Sequence, residues 1–220
     1  MPAKAARNRR TQADRSGEMR ARLVRATVES LVERGYARTT TVEVCRRAGV
    51  TRGALHHHFA DLPDLLVAAM SDTYERFFLA PARTRPFASL EAWIDDAWTR
   101  LRRPAFKAVI EVWLAARNEP ALGRALRPAI ERYKQVFSIE ASARLKALVG
   151  SSADVQAFYR LACETLIGLA LGRATTPGGR ALDHEAVVIG MLKPLARRIV
   201  RKGESQGGGP GSAAVRAGRG

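Results

Sequence analysis

The twenty residues from 40 to 59 constrain the fold of this chain most, because they place two helix-start signals on either side of a glycine turn. Thr40-Thr41-Val42-Glu43 has the form of a capping box, in which the Thr40 hydroxyl accepts from the Glu43 amide and the Glu43 carboxylate reaches back. Gly49 can adopt the left-handed conformation that a tight reversal needs. Thr51 is a good N-cap for the helix that follows. The stretch therefore predicts two short helices joined by a tight turn.

A longer amphipathic helix precedes this pair. Its apolar residues recur at the spacing of one helical face, and Gly35 supplies a natural helix stop. The face comprises Leu23, Val24, Thr27, Val28 and Leu31. The second helix would bury Thr41, Val44, Cys45 and Ala48, which makes Cys45 a small core residue rather than a nucleophile. Two short helices with a tight turn form a helix-turn-helix, whose second helix places its amino-terminal side chains in the DNA major groove.

The run from Leu23 to Leu66 resembles the DNA-binding domain of the TetR family of bacterial transcriptional regulators over about 45 positions. The resemblance is carried by Gly35-Tyr36, Thr39-Thr40, Ala48-Gly49-Val50-Thr51-Arg52-Gly53-Ala54-Leu55 and His58-Phe59. It implies an all-α chain, in which three DNA-binding helices precede a larger helical domain. In the family, that domain dimerises and usually binds a small effector.

The resemblance also assigns roles to the second helix of the motif. Thr51 would cap this helix and contact a phosphate, and Arg52, Gly53 and Ala54 would face base edges. An arginine can pair bidentately with guanine, and an alanine methyl can touch the thymine methyl. The predicted DNA contacts are Thr40, Thr51, Arg52, Gly53, Ala54, His56, His57 and His58, with His56 standing where the family usually has tyrosine.

One family feature is missing at the start of the fourth helix. The family's phosphate-binding lysine is replaced by Leu62, although Asp61 can still N-cap this helix, Asp64 can complete a capping box and Pro63 is tolerated in the first turn. We expect a basic amino-terminal arm to substitute for that lysine by entering the minor groove or following phosphates. The arm residues are Arg7, Arg9, Arg10 and Arg15.

The charge distribution agrees with a polyanionic partner, either nucleic acid or an anionic membrane surface. The formal net charge is +16, of which +6 lies in residues 1–65 and +6 in residues 193–220, while the long middle is nearly balanced. We expect residues 1–15 to form a disordered arm. The glycine-rich residues 202–220 are expected to be a disordered tail, because they cannot bury enough apolar surface to offset their ordering entropy.

Several other classes of protein are excluded or disfavoured. Two cysteines without CxxC spacing fit a reducing cytoplasm, and no apolar run approaches the length of a membrane span. The amino terminus lacks the apolar stretch of a secretory signal, so we expect a cytoplasmic protein. Neighbouring helical side chains point about 100° apart, so His56, His57 and His58 cannot converge on one metal ion. No Ser-His-Asp set, glycine-rich phosphate loop or HExxH motif suggests an enzyme, and no cofactor is predicted.

The remaining chain predicts a helical DNA-binding domain over 16–65 and a helical ligand-binding and dimerisation domain over 66–201. Proline and glycine fall mostly between helix-periodic segments, and no stretch alternates as a strand does. The helices near 155–172 and 183–200 are so apolar that they need burial on more than one side, which a homodimer contact supplies. Burial within a monomer is the alternative for these helices.

A ligand cavity is predicted between the middle helices, although ordinary core packing is the alternative for each of its aromatic residues. Glu111 stands out because it lies among apolar residues, where a carboxylate could orient a polar group of the effector or could face water instead. The predicted lining is Tyr74, Trp93, Trp98, Phe106, Glu111, Trp113, Phe137 and Tyr159.

Together these patterns predict a dimeric repressor that a small effector releases from a pseudo-palindromic operator. Its two recognition helices would read half-sites in successive major-groove turns of double-stranded DNA. The alternative is a helical protein that binds nucleic acid without sequence preference through its basic ends.

Overall fold

The computed structural model describes residues 3–76, 87–131 and 153–207, and it describes side chains over 12–76, 87–131 and 153–201. Regular structure in these ranges is entirely helical, which confirms the all-α prediction. Within the same ranges, no helix combines the length and the apolar character needed to cross a membrane.

The described residues contain the following helices and turns, given in chain order. They are α1 (Ala3–Arg34), a 3₁₀ turn (Tyr36–Arg38), α2 (Thr41–Ala48), α3 (Arg52–His58), α4 (Leu62–Tyr74), α5 (Leu90–Leu101), α6 (Pro104–Asn118), α7 (120–131), α8 (Ala153–Ala174), a 3₁₀ turn (Pro177–Gly179) and α9 (Glu185–Gly207). Pro104 opens α6, where a proline in the first turn costs no hydrogen bond. Pro128 lies within α7, which is helical through residue 131.

One compact unit contains α1 to α4 together with α6 and α7. In it α1 packs against α2, α4 and α6, because the apolar face read from the sequence turns inward. Its largest fully buried side chains include Leu23, Leu31, Leu55, Phe59, Leu65, Leu66 and Met70. The helix-turn-helix is therefore seated on a long first helix that also touches α6.

A second compact unit contains α5, α8 and α9. Its core is formed by Leu90, Ile94, Phe158, Leu166 and Ala196, all of which are almost fully buried. Two ion pairs join α5 to α9 at the surface of this unit, between Asp95 and Lys193 at 2.8 Å and between Glu91 and Arg197 at 3.4 Å.

The chain divides differently from the expected domains 16–65 and 66–201. The helices α6 and α7 belong with the DNA-binding helices, and α6 packs against α1 and α4. Residues 3–15, expected as a disordered arm, continue α1, which is 32 residues long. Residues 202–207 of the expected tail likewise extend α9. The rest of the tail, at 208–220, lies outside the described residues.

Candidate nucleic-acid interface

Both helix caps of the predicted helix-turn-helix are present. The Thr40 hydroxyl accepts from the Glu43 amide at 3.2 Å, and the Thr51 hydroxyl accepts from the Ala54 amide at 3.2 Å. Gly49 lies in the left-handed region with φ 63°, as the turn requires. These contacts confirm the two predicted helix starts and the predicted glycine turn.

The helix α3 has one buried face and one exposed face. Leu55 and the adjoining Phe59 point into the core, with 0% and 2% of their surfaces exposed. The opposite face exposes the residues at positions i, i+1, i+4 and i+5 of the helix, which are Arg52, Gly53, His56 and His57. Ala54 and His58 flank this face and are half-buried, whereas Thr40 and Thr51 are exposed at the two helix starts. The structure thus brings the eight predicted contact residues to the two short helices of one motif.

The Glu43 half of the predicted capping box is not formed, because arginines bind the carboxylate. Glu43 accepts from Arg46 at 2.9 Å and from Arg47 at 2.6 Å, and Arg34 lies 3.1 Å away. Arg47 also donates to Glu33 at 2.7 Å. Guanidinium–carboxylate hydrogen bonds are about twice as strong as neutral ones, so they outcompete the backbone amide. The hydrogen bonds from Arg46 and Arg47 lower the pKa of Glu43 to about 2.

This ion-pair network changes how the basic charge of the motif is distributed. Arg34, Arg46 and Arg47 are engaged by the carboxylates of two glutamates, and the Arg34–Glu43 and Arg47–Glu33 pairs join α1 to α2. Arg52 is exposed on α3 and pairs with no acidic side chain in the described part of the chain. Arg52 is therefore the cation of α3 that remains available to a ligand.

The start of α4 is capped by carboxylates. The Asp61 carboxylate accepts from the Asp64 amide at 2.8 Å, which confirms the predicted N-cap. The Asp64 carboxylate accepts from the Ala60 amide at 3.1 Å, and Pro63 occupies the first turn. Leu62 is half-buried there. The backbone amides at the start of α4 thus donate to negatively charged carboxylates. These contacts add no cation that could bind phosphate.

The amino-terminal turns of α1 run beside α3, which sequence analysis did not anticipate. A cleft of about 560 Å³ separates the two helices; it is lined by Gln12, Ala13, Arg15, Ser16, Met19, Ala54, His57 and His58. Arg15 therefore lies across a cleft from two of the predicted contact residues. The backbone of Arg7, Arg9 and Arg10 belongs to α1, and their side chains lie outside the described residues. The sequence signal was the scarcity of helix breakers: between Ala3 and Arg34 only Gly17 interrupts the helix formers.

Further residues that sequence analysis missed hold α1 against the motif. The hydroxyls of Ser30 and Thr39 are both buried and lie 2.9 Å apart, and Thr39 also donates to the Gly35 carbonyl at 2.9 Å. The Arg20 guanidinium lies 5.0 Å from the centre of the Phe59 ring, within range of a cation–π contact. Buried hydroxyls at helix-compatible spacing give no sequence signal of their own, because serine and threonine usually lie at the surface.

The residues predicted to line an effector cavity fall into two aromatic clusters in different compact units. In the first unit, the Trp113 ring lies 6.3 Å from the Tyr74 ring and 6.3 Å from the Phe106 ring. In the second unit, Trp93 and Tyr159 lie 5.0 Å apart. Trp98 is buried in the second unit, and Phe137 lies outside the described residues.

Glu111 is half-buried and hydrogen-bonded within the protein. Its carboxylate accepts a hydrogen bond from the Tyr36 amide at 2.9 Å, at the beginning of the 3₁₀ turn that leads into α2. This hydrogen bond engages one carboxylate oxygen of Glu111, and the role of Glu111 toward an effector stays a prediction. Separately, within the described ranges no three His, Cys, Asp or Glu side chains come together as a metal site would require.

Comparison with known proteins places this geometry in a family. Residues 23–69 match the model of bacterial regulatory proteins of the tetR family. The chain is 33% identical over 133 residues to the HTH-type transcriptional regulator CymR of Pseudomonas putida, a match that covers 58% of this chain and 66% of CymR. The match thus spans just under two thirds of that relative's length.

Solved structures agree in fold. A transcriptional regulator from Rhodococcus sp. Rha1 superposes with a TM-score of 0.67 at 18% identity, covering 83% of this chain and 96% of that one. The multidrug binding protein EbrR, solved with imidazole, superposes with a TM-score of 0.55 at 25% identity, covering 80% and 94%. Residues 23–69, which include the helix-turn-helix, thus match the TetR family of bacterial regulatory proteins.

Proposed function

We propose that this chain is a dimeric transcriptional repressor that binds a pseudo-palindromic DNA operator and leaves it when a small effector binds. The observation that carries the proposal is the exposed face of α3, where Arg52, Gly53, His56 and His57 stand together on a helix capped by Thr51. A capped helix with a short, exposed side chain beside an arginine suits close approach to base edges. The CymR relative, itself a transcriptional regulator, supports the same role.

A dimer is supported by apolar side chains left exposed on α8 and α9. These helices carry large hydrophobic side chains with 43% to 69% of their surface exposed: Leu161, Leu171, Val187 and Met191. Gly168 and Gly190 are also exposed, and a methyl group added to either would meet no atom within 4 Å. Small residues beside apolar ones allow two helices to approach closely, which suits a two-fold contact with a second copy.

An effector is supported by the first aromatic cluster and by one structural relative. Tyr74, Phe106 and Trp113 of the unit that holds the DNA-binding motif lie within contact range, and Trp113 is only half-buried. EbrR, which resembles this chain at 25% identity, is a multidrug binding protein solved with imidazole. The class of effector that these rings suit is a flat apolar molecule, which can stack on aromatic side chains.

The amino-terminal turns of α1 are proposed to contact DNA phosphates as a helical arm. Arg15 faces the cleft next to His57, and Arg7, Arg9 and Arg10 lie further along the same helix. Deletion of residues 1–15 is expected to weaken DNA binding and to lower the logarithmic salt slope by about 0.9 for each lost phosphate contact. Unchanged affinity and slope would remove the arm from the interface.

Selection of bound sequences from random duplex DNA tests the proposal directly. A two-fold symmetric consensus is expected, with half-site centres about 34–36 Å apart along the duplex. The Arg52→Ala variant should select a consensus that is relaxed within each half-site, since its guanidinium no longer reads a base. Recovery without any consensus would instead support a protein that binds nucleic acid through charge alone.

A further inference from the structure

The junction between α1 and the following 3₁₀ turn leaves backbone groups that its own residues cannot satisfy. The N-cap of the turn is Gly35, which has no side chain to accept from the Tyr36 amide. The carbonyls at the end of α1 likewise lack partners within the helix. A helix carboxyl end favours a cation, and a helix amino end favours an anion.

The helix α6 supplies both charges to this junction. The Lys107 ammonium donates to the Val32 carbonyl at 3.2 Å, and the Glu111 carboxylate accepts from the Tyr36 amide at 2.9 Å. Positions 107 and 111 are four residues apart and so share one face of α6. Each side chain carries the sign that its helix end favours, so α6 caps two helix termini of the DNA-binding motif from outside.

The Gly35 backbone fits closely against the Glu111 carboxylate. Gly35 has φ 75° and ψ 176°, a conformation that is almost confined to glycine. A methyl group added at Gly35 would lie 3.2 Å from a carboxylate oxygen of Glu111, which is tighter than an ordinary contact. The turn and the carboxylate therefore constrain one another.

A third contact joins the end of α6 to the same turn. The Tyr36 hydroxyl donates to the Glu119 carboxylate at 2.6 Å, and Glu119 is the C-cap residue of α6. Burial and this hydrogen bond raise the pKa of Tyr36 to about 12, so the phenol stays protonated and remains a donor at neutral pH.

Contacts of the 3₁₀ turn determine where α2 begins in space. Thr39 follows the 3₁₀ turn and donates back to the Gly35 carbonyl at 2.9 Å, while its hydroxyl also meets Ser30 of α1. The next residue, Thr40, is the N-cap of α2. A displacement of residues 35–36 would therefore move the start of α2, the helix against which α3 packs.

We propose that Lys107, Glu111 and Glu119 form a clamp through which α6 sets the position of the helix-turn-helix. Glu111 is the central positioning residue, because it caps the turn that leads into α2. The proposal rests on the proposed function, in which α2 and α3 bind DNA. It gives α6 a direct route for altering DNA affinity without touching DNA.

Hydrogen exchange and DNA binding test the clamp in four full-length variants. Glu111→Ala removes the acceptor, Glu111→Gln keeps a carbonyl acceptor without the charge, and Tyr36→Phe removes only the bond to Glu119. Glu29→Ala serves as the matched control, since Glu29 is an exposed carboxylate on α1 that makes none of these contacts. Amide exchange is followed by mass spectrometry, and affinity is measured by fluorescence anisotropy with the selected duplex over a salt series.

The clamp predicts a specific pattern across these variants. Glu111→Ala should speed exchange of the Tyr36 amide and the first turn of α2 about tenfold, the effect of losing one hydrogen bond to a charged group. DNA affinity should fall several-fold with an unchanged salt slope, because no phosphate contact is lost. Glu111→Gln should recover most of both properties, Tyr36→Phe should show a smaller loss, and Glu29→Ala should match the wild type.

Other outcomes would overturn the clamp. Unchanged exchange in Glu111→Ala would mean that the carboxylate does not hold the turn. Faster exchange with wild-type DNA affinity, measured below the unfolding transition, would reduce Glu111 to a stabilising contact. If the wild-type chain itself selects no DNA consensus, the proposed function fails, while the exchange comparison still decides whether α6 holds the turn.

Discussion

Gly35 shows how strongly a single backbone conformation can specify this fold. Its φ of 75° and ψ of 176° are accessible to glycine and strained for other residues. The Gly35→Ala variant should lose about 1–3 kcal/mol of unfolding free energy, since the backbone is strained and the methyl group crowds Glu111. Urea unfolding followed by circular dichroism measures the change.

The control for this prediction is Gly17→Ala in α1. Gly17 is exposed, and a methyl group there would meet nothing within 4 Å. Alanine in a helix interior is favoured over glycine by up to about 1 kcal/mol, so this variant should be as stable as the wild type or more stable. Equal destabilisation by both substitutions would contradict the role given to Gly35.

Glu43 predicts a pH dependence of stability. Arg46, Arg47 and Arg34 hold its folded-state pKa at about 2, below the ordinary value of 4.5. A carboxylate with a lowered pKa stabilises the fold fully above its unfolded-state pKa and loses that contribution as the pH falls toward the folded-state value. The stability difference between wild type and Glu43→Gln should therefore be constant above pH 4.5 and shrink toward zero near pH 2.

Urea titrations at neutral pH, at pH 4.5 and near pH 3 measure that difference. A difference that stays constant down to pH 3 would show that the ion-pair network does not lower the pKa of Glu43. The Glu29→Gln variant provides the baseline, because Glu29 is an exposed carboxylate outside the network.

At the scale of elements, the buried face of α3 serves folding and its exposed face is the one proposed to bind DNA. Gly53 is exposed on its outer face, and the nearest atom to an added methyl group is the Thr51 hydroxyl at 3.8 Å. Gly53→Ala should therefore keep or raise the thermal midpoint, given the higher helix propensity of alanine. DNA affinity should fall at least several-fold if the face lies against base edges, because a methyl group then occupies that contact.

Thermal unfolding and anisotropy on the same sample check both parts of this prediction. A stable Gly53→Ala protein with wild-type affinity and consensus would place the base contacts elsewhere.

The length and the position of α1 have different causes. Its length follows from a run of helix formers, whereas its position beside α3 depends on the side chains of Leu23, Leu31 and the other buried residues.

At the scale of the whole molecule, the exposed apolar residues of α8 and α9 predict the oligomeric state. Met191→Glu places a carboxylate at a residue that is 69% exposed in the protomer, so the protomer should stay folded. In a two-fold dimer the new charge would be buried at the contact, and the dimer should dissociate. Sedimentation velocity measures the mass of the species.

Leu114→Glu is the matched control, because Leu114 is 57% exposed and belongs to α6, which is not one of the proposed contact helices. This variant should sediment as the wild type does. A Met191→Glu protein that keeps its dimeric mass, or a wild type that sediments as a monomer, would contradict the proposed interface. Loss of the dimer should also weaken operator binding, since two half-sites would no longer be bound together.

The sequence by itself determined the local structure of the amino-terminal motif. Thr40, Gly49, Thr51 and Asp61 act through contacts three or four residues away or through their own φ angles, so the short-range pattern was sufficient. The helical periodicity likewise predicted the buried face of α1, where Leu23, Val24, Thr27 and Leu31 are buried and Val28 is half-buried. Both kinds of signal depend on neighbours along the chain.

The tertiary structure decided the partners of long-range polar groups. Glu111 lies 75 residues from Tyr36 along the chain, and Glu43 of α2 also pairs with Arg34 of α1, so neither of these two pairings follows from helical spacing. The grouping of α6 with the DNA-binding helices also depended on which apolar faces meet. Periodicity shows that one face of a helix is buried. Only the packed structure shows which neighbouring helix covers that face and which charged side chains then lie within hydrogen-bond distance of each other.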